Sequence, residues 1–160
     1  MTIEIGDALP DVSLRYVGSD GPAAATIGEL ITGKRAVLFT VPGAFTPTCS
    51  AKHLPGYIEK AQALRDAGID LIACVSVNDA FVMGAWAKTS DAGDSVMMIA
   101  DGNGDFVRAT GLDVDQTERG MGLRAQRAAL VVDDGVVTHL FVEPKGSFGV
   151  SSAESVLAAL

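Results

Sequence analysis

The run Ala36-Val37-Leu38-Phe39-Thr40-Val41 constrains this chain more than any other feature. It is almost continuously apolar, where a half-exposed strand would alternate, so it predicts a central strand covered on both faces. Similar strands are predicted from Ile69 to Val77 and from Val96 to Ala100. Helix-compatible stretches such as Tyr57 to Ala67 and Ala80 to Thr89 separate them. Strand and helix in alternation predict an α/β sheet.

Toward the C-terminus the pattern changes. Ala128 to Val132 and Val136 to Val142 are separated only by Asp133-Asp134-Gly135, a turn of hairpin type, so an antiparallel pair should close one side of the sheet. Ser151 and Glu154 have capping-box spacing ahead of Val156, Leu157 and Leu160, which predicts a terminal helix. With no linker, repeat or low-complexity stretch, residues 1–160 read as one domain, and that length suffices for a real core.

Charge narrows the function. Twenty acidic residues against twelve basic ones give a net charge of -8, which repels phosphate backbones and anionic membrane surfaces, so neither nucleic acid nor membrane is an expected partner. No apolar run approaches the ~18 residues of a membrane span. The segment Met1 to Leu14 carries Glu4, Asp7 and Asp11 and lacks the basic start and apolar core of a secretory signal, so a cytoplasmic location is the default expectation. Two cysteines and two histidines are too few for a disulfide framework or a structural zinc site. Reactive-thiol chemistry and plain burial are the two remaining readings of Cys49 and Cys74.

The segment Val41-Pro42-Gly43-Ala44-Phe45-Thr46-Pro47-Thr48-Cys49-Ser50 follows the first core strand and leads into a helix. Thr46 suits the N-cap and Pro47 the first helical position, which puts Cys49 in the first turn. There the free N–H groups and the helix dipole favour a thiolate over a thiol. Pro55, six residues on, should kink or restart the helix. A free cysteine is commonly a small buried hydrophobe. A Pro-Gly turn, a hydroxyl three residues earlier and a helix start argue instead for a reactive thiol.

The same stretch, Pro42 to Ser50, resembles the active-site segment of type II, peroxiredoxin-five-like peroxidases. The likeness continues through Lys52-His53-Leu54-Pro55-Gly56-Tyr57, Val75-Ser76-Val77-Asn78-Asp79-Ala80-Phe81-Val82 and Val142-Glu143-Pro144. It implies a thioredoxin-like fold, a mixed central sheet flanked by helices, with a peroxidatic cysteine at Cys49, a peroxide-binding hydroxyl at Thr46, a shielding proline at Pro42 and a guanidinium at Arg127. Arg124, in the same Leu123-Arg124-Ala125-Gln126-Arg127 segment, competes for that last role; the Ala-Leu-Val-Val run that follows favours Arg127. Read from residues alone, Arg127 is an ordinary solvated arginine at a strand end.

The implied reaction reduces hydrogen peroxide and small organic hydroperoxides, leaves Cys49 as a sulfenic acid and needs no metal or bound cofactor. It asks for a populated thiolate, a peroxide held in line with sulfur by Thr46 and the Cys49 N–H, and a cation at the departing oxygen. Where some relatives carry a resolving cysteine ahead of the last helix, this chain has Gly149-Val150-Ser151-Ser152. The expected reductant is therefore an external thiol, glutathione with glutaredoxin or thioredoxin. The resemblance also implies a homodimer. Cys74, in mid-strand, reads as core, with a resolving role the minor alternative. His53 reads as packing, and His139 receives no role. A binding or chaperone module on the same scaffold is the competing function, and a thiol and hydroxyl at Cys49 and Thr46 are what it would not need. A disulfide oxidoreductase would need the Cys-x-x-Cys partner that Cys49 lacks.

Overall fold

The computed structural model describes residues 1–18 and 21–160. The first strands are β1 (Ser13–Gly18) and β2 (Gly21–Thr26), followed by the short α1 (Ile27–Ile31) and by β3 (Arg35–Val41). A π-helical turn over Cys49–His53 runs directly into α2 (Leu54–Asp66). Then come β4 (Leu71–Ser76), α3 (Ala80–Thr89), β5 (Met97–Ala100), α4 (Asp105–Thr110) and the small pair β6 (Asp113–Asp115) and β7 (Leu123–Ala125). β8 (Ala128–Asp133), β9 (Val136–Val142) and α5 (Ala153–Ala159) complete the chain.

Seven strands form one mixed sheet in the order β2-β1-β5-β4-β3-β8-β9. β3, β4 and β5 pair in parallel, and the other neighbours are antiparallel, so the α/β reading holds and the C-terminal hairpin does close one side. The apolar run in β3 is explained by its two buried faces. Val37, Phe39 and Val41 face one core with Cys74, Tyr57 of α2 and Trp86 of α3. Ala36 and Leu38 face the other with Ala73, Ile27 and Ile31 of α1, and Phe106 of α4. Burying each large side chain contributes roughly 1.5–3 kcal/mol. The Phe39 ring also stacks on Tyr57, centroids 3.9 Å apart, which fixes α2 over β3. α3 comes so close to β1 that a Cβ on Gly84 would meet Val17 Cγ2 at 3.1 Å.

The cap of the last helix departs from the sequence reading. The final helix is capped by Ser152, whose side chain accepts from Ser155 N, and not by Ser151 with Glu154. Ser151 is wholly buried, and its hydroxyl donates to Glu143, so it is unavailable as a cap. Pro55 restarts the helix as expected, in the first turn of α2. It has no N–H for the Ala51 carbonyl and its ring crowds that turn, which the wider π turn accommodates. The Asp101–Asp105 segment is a turn; the buried Asp101 carboxylate accepts from Phe106 N and Val107 N and so caps α4. Burial pushes the Asp101 carboxyl above its usual range, with those two N–H groups pulling the other way. No described helix is long and apolar enough to cross a membrane.

Candidate active site at the Cys49 turn

The parallel strands β3 and β4 end side by side at Val41 and Ser76, and the loops leaving them build the site. Asn78 joins the two: its Oδ1 accepts from Ala44 N at 2.9 Å and from Ser76 Oγ at 2.6 Å. Pro42, half-buried, opens the first loop. Gly43 follows, where a Cβ would lie 2.9 Å from Arg124 Nη1 and 3.2 Å from Thr46 Cγ2, so a side chain there would displace the Arg124 guanidinium. Phe45 then takes φ 63, a left-handed conformation that is unfavourable for an aromatic residue and turns the chain sharply into the helix.

Thr46 stands at the N-cap position, since its carbonyl accepts from Ser50 N at 3.0 Å. Its hydroxyl does not cap. It donates back to the Gly43 carbonyl at 2.7 Å, which leaves the oxygen lone pairs as acceptors and does not occupy the first-turn N–H groups. Cys49 falls in that first turn, wholly buried.

Arg127 lies at the start of β8, steered there by Thr40, whose hydroxyl donates to the carbonyl of neighbouring Gln126 at 2.6 Å. Its Nη2 donates to Cys49 Sγ at 3.3 Å. Arg124 points elsewhere: Nε donates to the Met121 carbonyl and Nη1 to the Val77 carbonyl, so it braces the loops and does not touch the sulfur. The arginine at the thiol is therefore Arg127.

The sequence reading gave His53 only packing, and that is corrected here. The ring is wholly buried, yet Nδ1 accepts from Arg127 Nη1 at 2.9 Å, so one guanidinium spans the sulfur and the imidazole. On the far side Nε2 donates to the Ser151 carbonyl at 3.1 Å, which also accepts from Tyr57 OH at 2.7 Å. The spacing of His53 from Cys49 was the available signal, but only the strand that brings in Arg127 gives it meaning. Trp86, Ser50 and Phe148 were missed as well. Trp86 Nε1 donates to Ser50 Oγ at 3.1 Å, tying α3 to the Cys49 turn, and the Phe148 ring lies 5.8 Å from the Arg127 guanidinium carbon.

Burial, then the charge of Arg127, push the His53 pKa down to about 3. The ring stays neutral in the folded protein at pH 5, whereas the unfolded chain takes up a proton below 6.5. The unfolded state binds more protons there, so stability falls as pH drops below 6.5. Between pH 7 and 5 this one group should remove about 2 kcal/mol of unfolding free energy. Urea titrations of the wild type and His53→Phe at both pH values check it. An equal loss in the two proteins would contradict a buried neutral imidazole.

Cys74, opposite Phe39 in β4, is wholly buried in the same core as Cys49 and is not bonded to it. Burial, then negative charge at Cys49, push its thiol up, away from the reactive thiolate form. His139 makes its side-chain hydrogen bond to Thr138 Oγ1, its neighbour on the last strand, and not to a residue of the site. Among the described residues no three His, Cys, Asp or Glu side chains gather as a metal site.

Known proteins resemble this chain along nearly its whole length. The Redoxin family profile matches residues 4–157. The chain is 53% identical to peroxiredoxin-2E-2, chloroplastic, of Oryza sativa subsp. japonica, over 99% of this chain and 73% of that protein. It is 47% identical to peroxiredoxin-2B of Arabidopsis thaliana, over 99% of this chain and 98% of that one. The solved structure of reduced Prx3 from Vibrio vulnificus in complex with hydrogen peroxide is 51% identical with a TM-score of 0.95, covering 99% of each chain.

Proposed function

Because this chain belongs to the Redoxin family, as a thioredoxin-fold peroxiredoxin of the type II branch and hence a thiol-dependent peroxidase, we propose that Cys49 is its peroxidatic cysteine and that an external thiol regenerates it. The observation that carries the proposal is the 3.3 Å contact between Arg127 Nη2 and the Cys49 sulfur at a helix start. The guanidinium thus meets the atom that would attack peroxide, and it can only donate to it.

The thiolate attacks the nearer peroxide oxygen. An S–O bond forms, the O–O bond breaks, and its electron pair leaves on the second oxygen as hydroxide or alkoxide, which takes a proton from solvent. The Arg127 cation stabilises that departing charge, and the Thr46 oxygen and Cys49 N–H hold the peroxide in line. Pro42 shields the turn from water. Cys49 is left as a sulfenic acid, oxidised by two electrons. A first external thiol condenses with it to a mixed disulfide and water; a second releases Cys49 as a thiol.

Glutathione with glutaredoxin, or thioredoxin, is the proposed reductant, because Cys74 is buried in mid-strand with its thiol form favoured. A homodimer is part of the same reading: Phe45, on the loop after β3, and Phe81, in the first turn of α3, expose 50% and 78% of their surface, and a second copy would cover them. One preparation tests these points. Steady-state peroxide turnover with each reductant should survive Cys74→Ser within about two-fold, peptide mapping after one equivalent of peroxide plus glutathione should find the adduct on Cys49, and sedimentation should give a dimer. Lost turnover in the variant together with a Cys49–Cys74 disulfide in the wild type would make the resolving thiol internal, and a monomer would remove the dimer.

A further inference from the structure

The loop from β9 to α5 is gathered by one atom. Glu143 Oε2 accepts from Gly149 N at 2.7 Å, Ser151 N at 2.9 Å and the Ser151 hydroxyl at 2.7 Å. The Glu143 side chain is almost wholly buried, and its own N–H donates to the Arg127 carbonyl at 3.0 Å, so the clamp is anchored on the backbone of the arginine at the thiol. Burial opposes ionisation of Glu143, but these donors outweigh it and hold the carboxyl below its usual range, so the clamp is charged at neutral pH.

What the clamp holds bears directly on the guanidinium. The Ser151 carbonyl can only accept, so His53 must carry its proton on Nε2 to make the 3.1 Å contact. A neutral ring protonated there leaves Nδ1 as an acceptor, the one role that suits a guanidinium, which can only donate. The alternative tautomer would point an N–H at Arg127 and push it off the sulfur. The Ser151 hydroxyl, 3.5 Å from Nε2, could donate to a bare Nε2 and favour that wrong tautomer, but it is engaged by Glu143. Phe148, in the same loop, sets its ring edge-on to His53 at 5.0 Å and lies over Arg127, packing against both.

We propose that Glu143 is a positioning residue of the thiol site: by fixing Ser151 it holds His53 in the Nε2-protonated tautomer, whose Nδ1 aims Arg127 at Cys49. The inference rests on the Cys49–Arg127 reading above and extends it to a carboxylate that touches neither peroxide nor sulfur. A merely structural Glu143 would affect unfolding but would leave the imidazole proton and its link to the rate unchanged.

The test uses the full chain, with nitrogen NMR of the His53 ring and single-turnover reduction of hydrogen peroxide. Glu143→Gln keeps the shape and removes the charge. In it, the His53 signals should move from the single Nε2-protonated form toward a mixture, with His139 as internal reference, and peroxide reduction should slow by about 5- to 10-fold. Because the effect runs through His53, the same change made on His53→Phe should slow that protein by less than two-fold. An unchanged tautomer, or an equal slowing on both backgrounds, overturns the proposal. Should Glu143→Gln not fold, Glu143→Asp asks the same question by drawing the carboxylate back one carbon, with the same two outcomes. The tautomer is read in the reduced protein without peroxide, so a wild-type thiol inert to peroxide would defeat the Cys49 reading while the NMR result still judged the clamp.

Discussion

Replacing Cys49 with serine is expected to lower peroxide consumption by at least about three orders of magnitude while the protein stays folded. Serine keeps the size of the buried side chain and can still accept from Arg127, so the packing around it changes little. It loses the one property the reaction uses, because a hydroxyl in place of the thiol is not ionised by a helix start and one guanidinium at neutral pH. Trp86 supplies the folding control. It is the only tryptophan, and its Nε1 is bonded to Ser50, one residue from the substitution, so its fluorescence reports on the turn itself. Peroxide consumption with excess reductant is the measurement. A folded Cys49→Ser protein that turned over at near the wild-type rate would remove Cys49 from the reaction.

Arg127→Gln should slow the peroxide step by at least ~10-fold, the effect of ~1.4 kcal/mol in the barrier, and should slow alkylation of Cys49 at neutral pH as well. Both follow from one loss, since the guanidinium stabilises charge on sulfur before the step and on the departing oxygen during it. The variant also leaves the buried His53 Nδ1 without its donor, an unmade hydrogen bond that costs about 1–3 kcal/mol of stability. Arg124→Gln is the matched control. Arg124 donates to the carbonyls of Met121 and Val77, so its loss should loosen the loops with a smaller effect on the peroxide step. Stopped-flow reduction and thiol alkylation compare the two. An unchanged peroxide rate and alkylation rate in Arg127→Gln, with slowing in Arg124→Gln, would exchange their roles.

Much of this protein is written in local pattern. The unbroken apolar run in β3 marks a strand with two cores because only such a strand buries successive residues on opposite faces, and Val37 and Leu38 do so. The helix Ala80–Thr89 and the C-terminal hairpin follow from periodicity and turn chemistry in the same way. Other elements had weaker signals. β2, Gly-Pro-Ala-Ala-Ala-Thr, has no alternation of large side chains and is held by pairing with β1. α1 is only five residues long, though Thr26 and Glu29 form a capping box that could have marked it.

The thiol itself was legible because its chemistry is local: Pro47 and Cys49 share one helix start, and a helix start acts on whatever stands in its first turn. Its surroundings were not. Arg127 is 78 residues from Cys49, and Ser151 is 98 from His53; no spacing rule reaches across such distances. Pairing of β3 with β8 carries the arginine to the sulfur, and the Glu143 clamp carries the Ser151 carbonyl to the imidazole. Ser151 shows the difference best. By sequence it is a helix cap, since a serine three residues before a glutamate satisfies that local rule. In the fold a buried carboxylate offers it a stronger, charge-assisted partner, the cap passes to Ser152, and Ser151 becomes part of the site. One local segment encodes where a nucleophile can be made, whereas the charges and protons around it come from strands and loops that meet only when the sheet is formed.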